Sequence, residues 1–148
     1  SSAERNLDNE NLFEVGKGRI LTEGSDLTII ATGGIVDIAL KAQEEFEKEG
    51  ISIKVVSLHT IKPIDRELIL NCSTNTGGII TLEEHSIIGG LGSAVSEVIM
   101  QECCFPKKFM MIGIQSKFST IVGSQDYLRK ANNLDVSSVI KTIKNLLN

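Results

Sequence analysis

The sequence predicts an α/β domain, with a mostly parallel sheet and helices on both of its faces. Two observations carry this. Short, β-branched apolar runs alternate with segments whose apolar residues recur at helical spacing. The runs also end in glycine, proline or capping residues where a strand-to-helix turn would need them. Strands alternating with helices imply βαβ units, and right-handed crossovers then restrict the topology.

Residues 1–12 are polar and acidic and read as a linker or disordered lead-in, so the folded domain is expected to span 13–148. Phe13 to Leu21 alternates weakly and offers a short edge strand near Arg19-Ile20-Leu21, closed by a turn at Glu23-Gly24-Ser25. Leu27 to Thr32 is a β-rich run that stops at Gly33-Gly34. Ile35, Ile38, Ala39, Ala42 and Phe46 then lie on one helical face, and Gly50 ends that helix. Ile53 to Leu58 is the next strand. Pro63 breaks the extended chain, and Asp65 is placed to cap a short helix through Leu70. Gly77-Gly78 precede a strand over Ile79 to Glu83. Leu91, Ala94, Val95, Val98 and Ile99 line a helix that ends before Pro106. Phe109 to Ile114 is a further strand, and Tyr127-Leu128 suggest a short helix. Asp135 caps a last helix, with Val136, Val139, Ile140, Ile143, Leu146 and Leu147 on one face.

A chain of 148 residues suits one domain, and one that buries roughly 70% of its unfolded surface needs no disulfide or metal to fold. The 41% hydrophobic and 23% charged residues are those of a soluble globular protein. A net charge of −4 argues against a nucleic-acid footprint, which needs a clustered basic face. No apolar run approaches the ~20 residues of a membrane span, so no membrane partner is expected. The polar start does not read as a secretory signal, and a cytoplasmic location is expected. Cys72, Cys103 and Cys104 have no zinc-site spacing and read as reduced thiols, two of them at or near the core.

The densest chemistry lies in Glu83-Glu84-His85-Ser86-Ile87-Ile88-Gly89-Gly90-Leu91-Gly92-Ser93, between a strand and a helix. Carboxylates beside an imidazole can do general acid–base work, which makes Glu84 and His85 the candidates for it. Gly89, Gly90, Gly92 and Ser93 form a turn whose free N–H groups at a helix start could hold an anion or meet a partner. The competing reading is that glycines at such a turn serve backbone conformation and close packing. Gly33-Gly34 does not complete a G-x-G-x-x-G fingerprint, and Gly16-Lys17-Gly18 lacks the rest of a P-loop. In His59-Thr60-Ile61-Lys62-Pro63-Ile64-Asp65, Lys62 could meet a phosphate and His59 could titrate. A strand exit, a proline-set turn and an aspartate cap explain the same residues and are preferred. No G-x-S-x-G elbow supports a hydrolase.

Taken together, Leu-Thr-Ile-Ile-Ala-Thr-Gly at 27–33, His-Thr-Ile-Lys-Pro-Ile-Asp at 59–65 and Glu-Glu-His-Ser-Ile-Ile-Gly-Gly-Leu-Gly-Ser-Ala-Val at 83–95 resemble the C-terminal domain of transketolase. Phe118 to Leu128 resembles the closing segment of that family. The likeness runs from about Phe13 to the end and is nearest to the C-terminal half of split transketolases. Deoxyxylulose-phosphate synthase and the beta chains of 2-oxo-acid dehydrogenases share the domain, and a stand-alone anion-binding α/β module is the remaining alternative.

The resemblance implies a three-layer α/β/α sandwich with a five-stranded sheet whose first strand is antiparallel to the rest. It places the Gly33 and Glu84 loops at neighbouring strand ends. It implies a parent enzyme that moves a two-carbon ketol unit between sugar phosphates with thiamine diphosphate and Mg²⁺. The family's Gly-Asp-Gly cofactor motif is absent from this chain, so the cofactor and metal are expected on domains outside it, and none in this chain. The family role of the domain is assembly: packing against upstream domains or a subunit and supporting a homodimer. No family catalytic residue maps here, and the isolated chain is expected to be inactive.

Overall fold

The computed structural model describes residues 16–59, 61–86, 90–114 and 135–148. The chain forms β1 (Arg19–Thr22), β2 (Leu27–Ala31), a 3-10 turn (Gly33–Ile35), α1 (Val36–Lys48), β3 (Ile53–Ser57), α2 (Arg66–Asn75), β4 (Ile79–Ser86), α3 (Leu91–Glu102), β5 (Phe109–Ile114) and α4 (Val136–Leu147). The sheet order is β1-β3-β2-β4-β5, with β1 antiparallel to β3 and the other pairs parallel. This is the mostly parallel α/β sheet that the pattern predicts, with the five strands and antiparallel first strand that the resemblance implies.

Every residue of β2 and β3 is buried, Thr28, Lys54 and Ser57 included, because both faces of these strands are covered. On one face Ile29, Ala31, Val55, Ile80 and Leu82 pack with Ala39, Ala42 and Phe46 of α1 and with Val139 and Ile143 of α4. On the other, Ile30, Val56 and Ile79 pack with Ile69 and Cys72 of α2 and with Leu91, Val95, Val98 and Ile99 of α3. Alternation along each strand thus sorts neighbouring residues into two separate cores.

Three boundaries differ from the sequence reading. The edge strand runs over Arg19–Thr22, whereas residues 13–15 lie outside the described residues. At its end the hydroxyl of Thr22 donates to the Ile53 carbonyl at 2.9 Å and accepts from the Val55 N–H at 3.0 Å, bridging a bulge in the β1–β3 ladder. The second helix continues past Leu70 to Asn75, because Cys72 and Ser73 turn their side chains into the core despite their polar neighbours. β4 continues past Glu83 to Ser86, which pairs with Ile114 of β5. The lead-in at 1–12, the tail at 118–128 and the helix expected at Tyr127-Leu128 lie outside the described residues.

Helix ends are closed locally. Asp65 caps α2 by accepting from the Leu68 N–H. Cys103 follows α3 with φ 50, in the left-handed region. The N–H groups of Cys103 and Cys104 return to the carbonyls of Met100 and Ile99, the two bonds of a Schellman motif. The ammonium of Lys108 donates to the Leu146 carbonyl at 2.9 Å and the Leu147 carbonyl at 3.4 Å, a cation at the end of α4 where the helix dipole favours one.

Candidate functional site at the carboxyl edge of the sheet

Parallel sheets bind ligands beyond the carboxyl ends of their strands, where successive crossovers leave in opposite directions. Here the chain leaves β2 toward β3 and leaves β4 toward β5, while β2 and β4 are neighbours. Ala31 pairs with Leu82, so Thr32-Gly33-Gly34 and Glu83-Glu84 emerge side by side. The sheet order therefore brings together two of the segments that the sequence singled out.

What the residues do there is specific. Gly33 has φ +69 and nothing within 4 Å of the position a Cβ would take, so backbone conformation alone favours glycine there. Glu83 is buried, 2% exposed, on the face covered by α3. Its Oε1 accepts from the Leu91 N–H at 2.9 Å and its Oε2 from the Gly92 N–H at 2.8 Å. A helix start leaves its first N–H groups without partners in the helix, and an anion is favoured there. In this protein that anion is its own carboxylate.

The expectation that the turn at Gly89–Ser93 points free N–H groups outward is therefore corrected for Leu91 and Gly92. Gly90 stands at the N-cap position in an extended conformation, and its carbonyl accepts from the Ala94 N–H at 3.1 Å. Gly92 is required for packing: a Cβ would lie 2.7 Å from Met111 Sδ and 2.9 Å from Thr81 Oγ1. That Thr81 hydroxyl is buried and makes no hydrogen bond among the described residues. Glu84 and Ser93 are partly exposed. His85 lies on β4, but its side chain is outside the described residues, as is Gly89.

The His59–Asp65 segment follows the structural reading. Asp65 is 8% exposed, and it accepts from Leu68 N–H at 3.2 Å and from Gly18 N–H at 2.8 Å. One carboxylate thus caps α2 and pins the approach to β1. His59 and Lys62 are exposed. Gly16-Lys17-Gly18 lies along this turn, where a Cβ on Gly16 would sit 3.1 Å from Pro63 Cγ.

Sequence reasoning read the Glu83–Ser93 block as a source of acid–base groups and did not assign Glu83 its role. The available signal was an acid at a strand end a few residues before a glycine-rich helix start. Among the described residues no three His, Cys, Asp or Glu side chains come together as metal ligands, and the two buried carboxylates are committed to main-chain N–H groups.

Cys72 is buried, and burial pushes its thiol above the ordinary value, opposed by a hydrogen bond with Thr28. Cys104 is partly buried and Cys103 exposed, and all three are free thiols. No described helix is long and apolar enough to cross a membrane.

Comparison with known proteins agrees with this geometry. The family model described as the C-terminal domain of transketolase matches residues 16–139. A Methanocaldococcus jannaschii sequence, provisionally named a transketolase C-terminal section, is 48% identical over 134 residues, 90% of this chain and 41% of that protein. A 1-deoxy-D-xylulose-5-phosphate synthase from Heliobacterium modesticaldum is 39% identical over 134 residues, 89% of this chain and 20% of that enzyme. A solved structure described as a split-gene transketolase, an inactive beta4 tetramer, superposes with a TM-score of 0.82 at 39% identity, over 91% of this chain and 43% of that one. The chain thus spans less than half the length of these relatives.

Proposed function

Because this chain belongs to the transketolase C-terminal domain family, we propose that it is the C-terminal domain of a thiamine-diphosphate-dependent transketolase, serving assembly while other domains carry the chemistry. The parent enzyme moves a two-carbon ketol unit between sugar phosphates, with thiamine diphosphate and Mg²⁺ held outside this chain. Its partners are the upstream domains or subunit and a second copy of the enzyme, in the cytoplasm.

The observation that carries this reading is the fate of the acids at the carboxyl edge. Glu83 and Asp65 are the two buried carboxylates of the described residues, and both hold helix starts in place. Groups consumed in this way build a rigid edge and do not exchange protons with a substrate. Glu84, His85, Gly89, Gly90 and Ser93 are then residues of an assembly surface, whereas Gly92 is buried and serves packing. The solved relative's description as an inactive tetramer of one chain type supports carrying inactivity over to this chain when it is alone.

Synthase membership is the second reading, favoured by the 39% identity to the Heliobacterium enzyme. Two measurements test both. Calorimetric titration of the chain with thiamine diphosphate and Mg²⁺ is expected to give no heat up to millimolar ligand. Saturable binding in the micromolar range would overturn the placement of the cofactor outside the chain. Restored to its parent enzyme, the chain is expected to support ketol transfer between sugar phosphates. Formation of deoxyxylulose phosphate in its place would assign the synthase.

A further inference from the structure

The two adjacent cysteines after α3 lie outside the site described above, and their surroundings differ. Cys103 is exposed, with its Sγ 3.7 Å from the Met100 carbonyl. Cys104 is partly buried, with its Sγ 3.6 Å from Thr74 Oγ1 and 4.0 Å from the Leu70 carbonyl, both on α2. The Cys104 sulfur therefore occupies the seam between α2 and α3, while its neighbour faces solvent. Met100 and Phe105, 64% and 60% exposed, flank the pair.

We propose that Cys103 and Cys104 form a thiol–disulfide exchange site for low-molecular-weight disulfides, with Cys103 the attacking thiol and Cys104 the resolving one. In the first step the Cys103 thiolate forms a bond to one sulfur of the small disulfide. The other half leaves and takes a proton as free thiol. In the second step Cys104 attacks the Cys103 sulfur and releases the remaining half as a second free thiol. Two protein thiols are oxidised by two electrons, and one small disulfide is reduced to two thiols.

Adjacent Cα atoms are about 3.8 Å apart across a trans peptide, closer than the usual disulfide spacing of about 4.4–6.8 Å. The resulting bridge is strained and so is readily reduced again, the property of a reversible site. Closing it draws the Cys104 sulfur away from Leu70 and Thr74 and disturbs the two N–H bonds that end α3. Oxidation thus loosens the α2–α3 seam.

The test is incubation of the full chain with excess glutathione disulfide and no added thiol, conditions that drive even a strained bridge to form, followed by intact and peptide mass measurement and thiol titration after unfolding. The wild type is expected to lose the mass of two hydrogens on the peptide holding Cys103 and Cys104, and to fall from three titratable thiols to one. Cys104→Ser is expected to stop at a glutathione adduct on Cys103, and Cys103→Ser to stay unmodified. Buried Cys72 is the internal control and stays unmodified throughout. A wild type that halts at the adduct, a Cys103→Ser variant that reacts as fast as wild type, or a chain that does not react would each overturn the proposal. Both serine variants change groups at a helix end outside the two cores, and far-UV circular dichroism checks their folding.

Discussion

Removing the carboxylate of Glu83 tests the reading of the carboxyl edge directly. The side chain is 2% exposed and accepts two main-chain N–H bonds, at 2.9 and 2.8 Å. Hydrogen bonds to a charged group are worth about 1.5–3 kcal/mol each, and leaving a buried donor unpaired costs about 1–3 kcal/mol. Burying the carboxylate offsets part of the gain in the wild type. Glu83→Ala is therefore expected to cost about 3 kcal/mol, well above the ~1 kcal/mol of an exposed cap. Glu83→Gln keeps the shape and one acceptor but turns an amide N–H toward the second donor, and is expected to cost about 2 kcal/mol. Urea unfolding followed by circular dichroism is the assay. At a slope of about 2 kcal/mol per molar, the alanine midpoint falls by about 1.5 M with the slope unchanged. Amide exchange at Leu91 and Gly92 should accelerate more than exchange in the sheet. An alanine variant within about 0.5 kcal/mol of wild type, the range of an ordinary surface substitution, would refute the argument.

Three further outcomes follow from the same structure. Gly92→Ala places a methyl group against Met111 and Thr81 and is expected to cost about 1–3 kcal/mol by calorimetry, because Thr81 is buried and cannot retreat. Cys72 has its thiol raised by burial, so in alkaline solution the unfolded chain releases that proton first; stability should fall as pH rises through the ordinary thiol value near 9.0, and Cys72→Ala should flatten that slope in urea titrations at graded pH. His85→Ala in the intact parent enzyme should alter stability or subunit affinity more than turnover; a loss of turnover above about a hundredfold with assembly unchanged would make His85 a catalytic residue.

The parts of the fold set by local pattern were legible in the sequence. Phe109–Ile114 and Val136–Leu147 form as their periodicity predicts, because a continuous apolar run and a single apolar helical face each have one sensible burial. The sequence predicts α2 through Leu70, and Asn71, Ser73, Thr74 and Asn75 beyond it are weak helix formers. The helix persists through them because Cys72 and Ser73 are buried. At the carboxyl edge, residue type was misleading. Glu83 and Glu84 are neighbours in sequence and chemically alike, yet one is sealed beneath α3 and the other partly exposed. Strand alternation sets the two on opposite faces, and the return of the chain at Leu91 and Gly92 is the tertiary closure that seals Glu83.

The strand order has a consequence for synthesis of the chain. β2 is the middle strand of the sheet, flanked by β3 on one side and β4 on the other. During translation it leaves the ribosome before either neighbour. Ile30 waits for Val56 on one edge and for Thr81 on the other. At about 5–20 residues per second, a gap of about fifty positions to Thr81 leaves one edge of this fully buried strand uncovered for several seconds. A nascent chain arrested between β3 and β4 would display that edge, which makes this interval the one at which a chaperone is most useful and a truncated product most prone to aggregate.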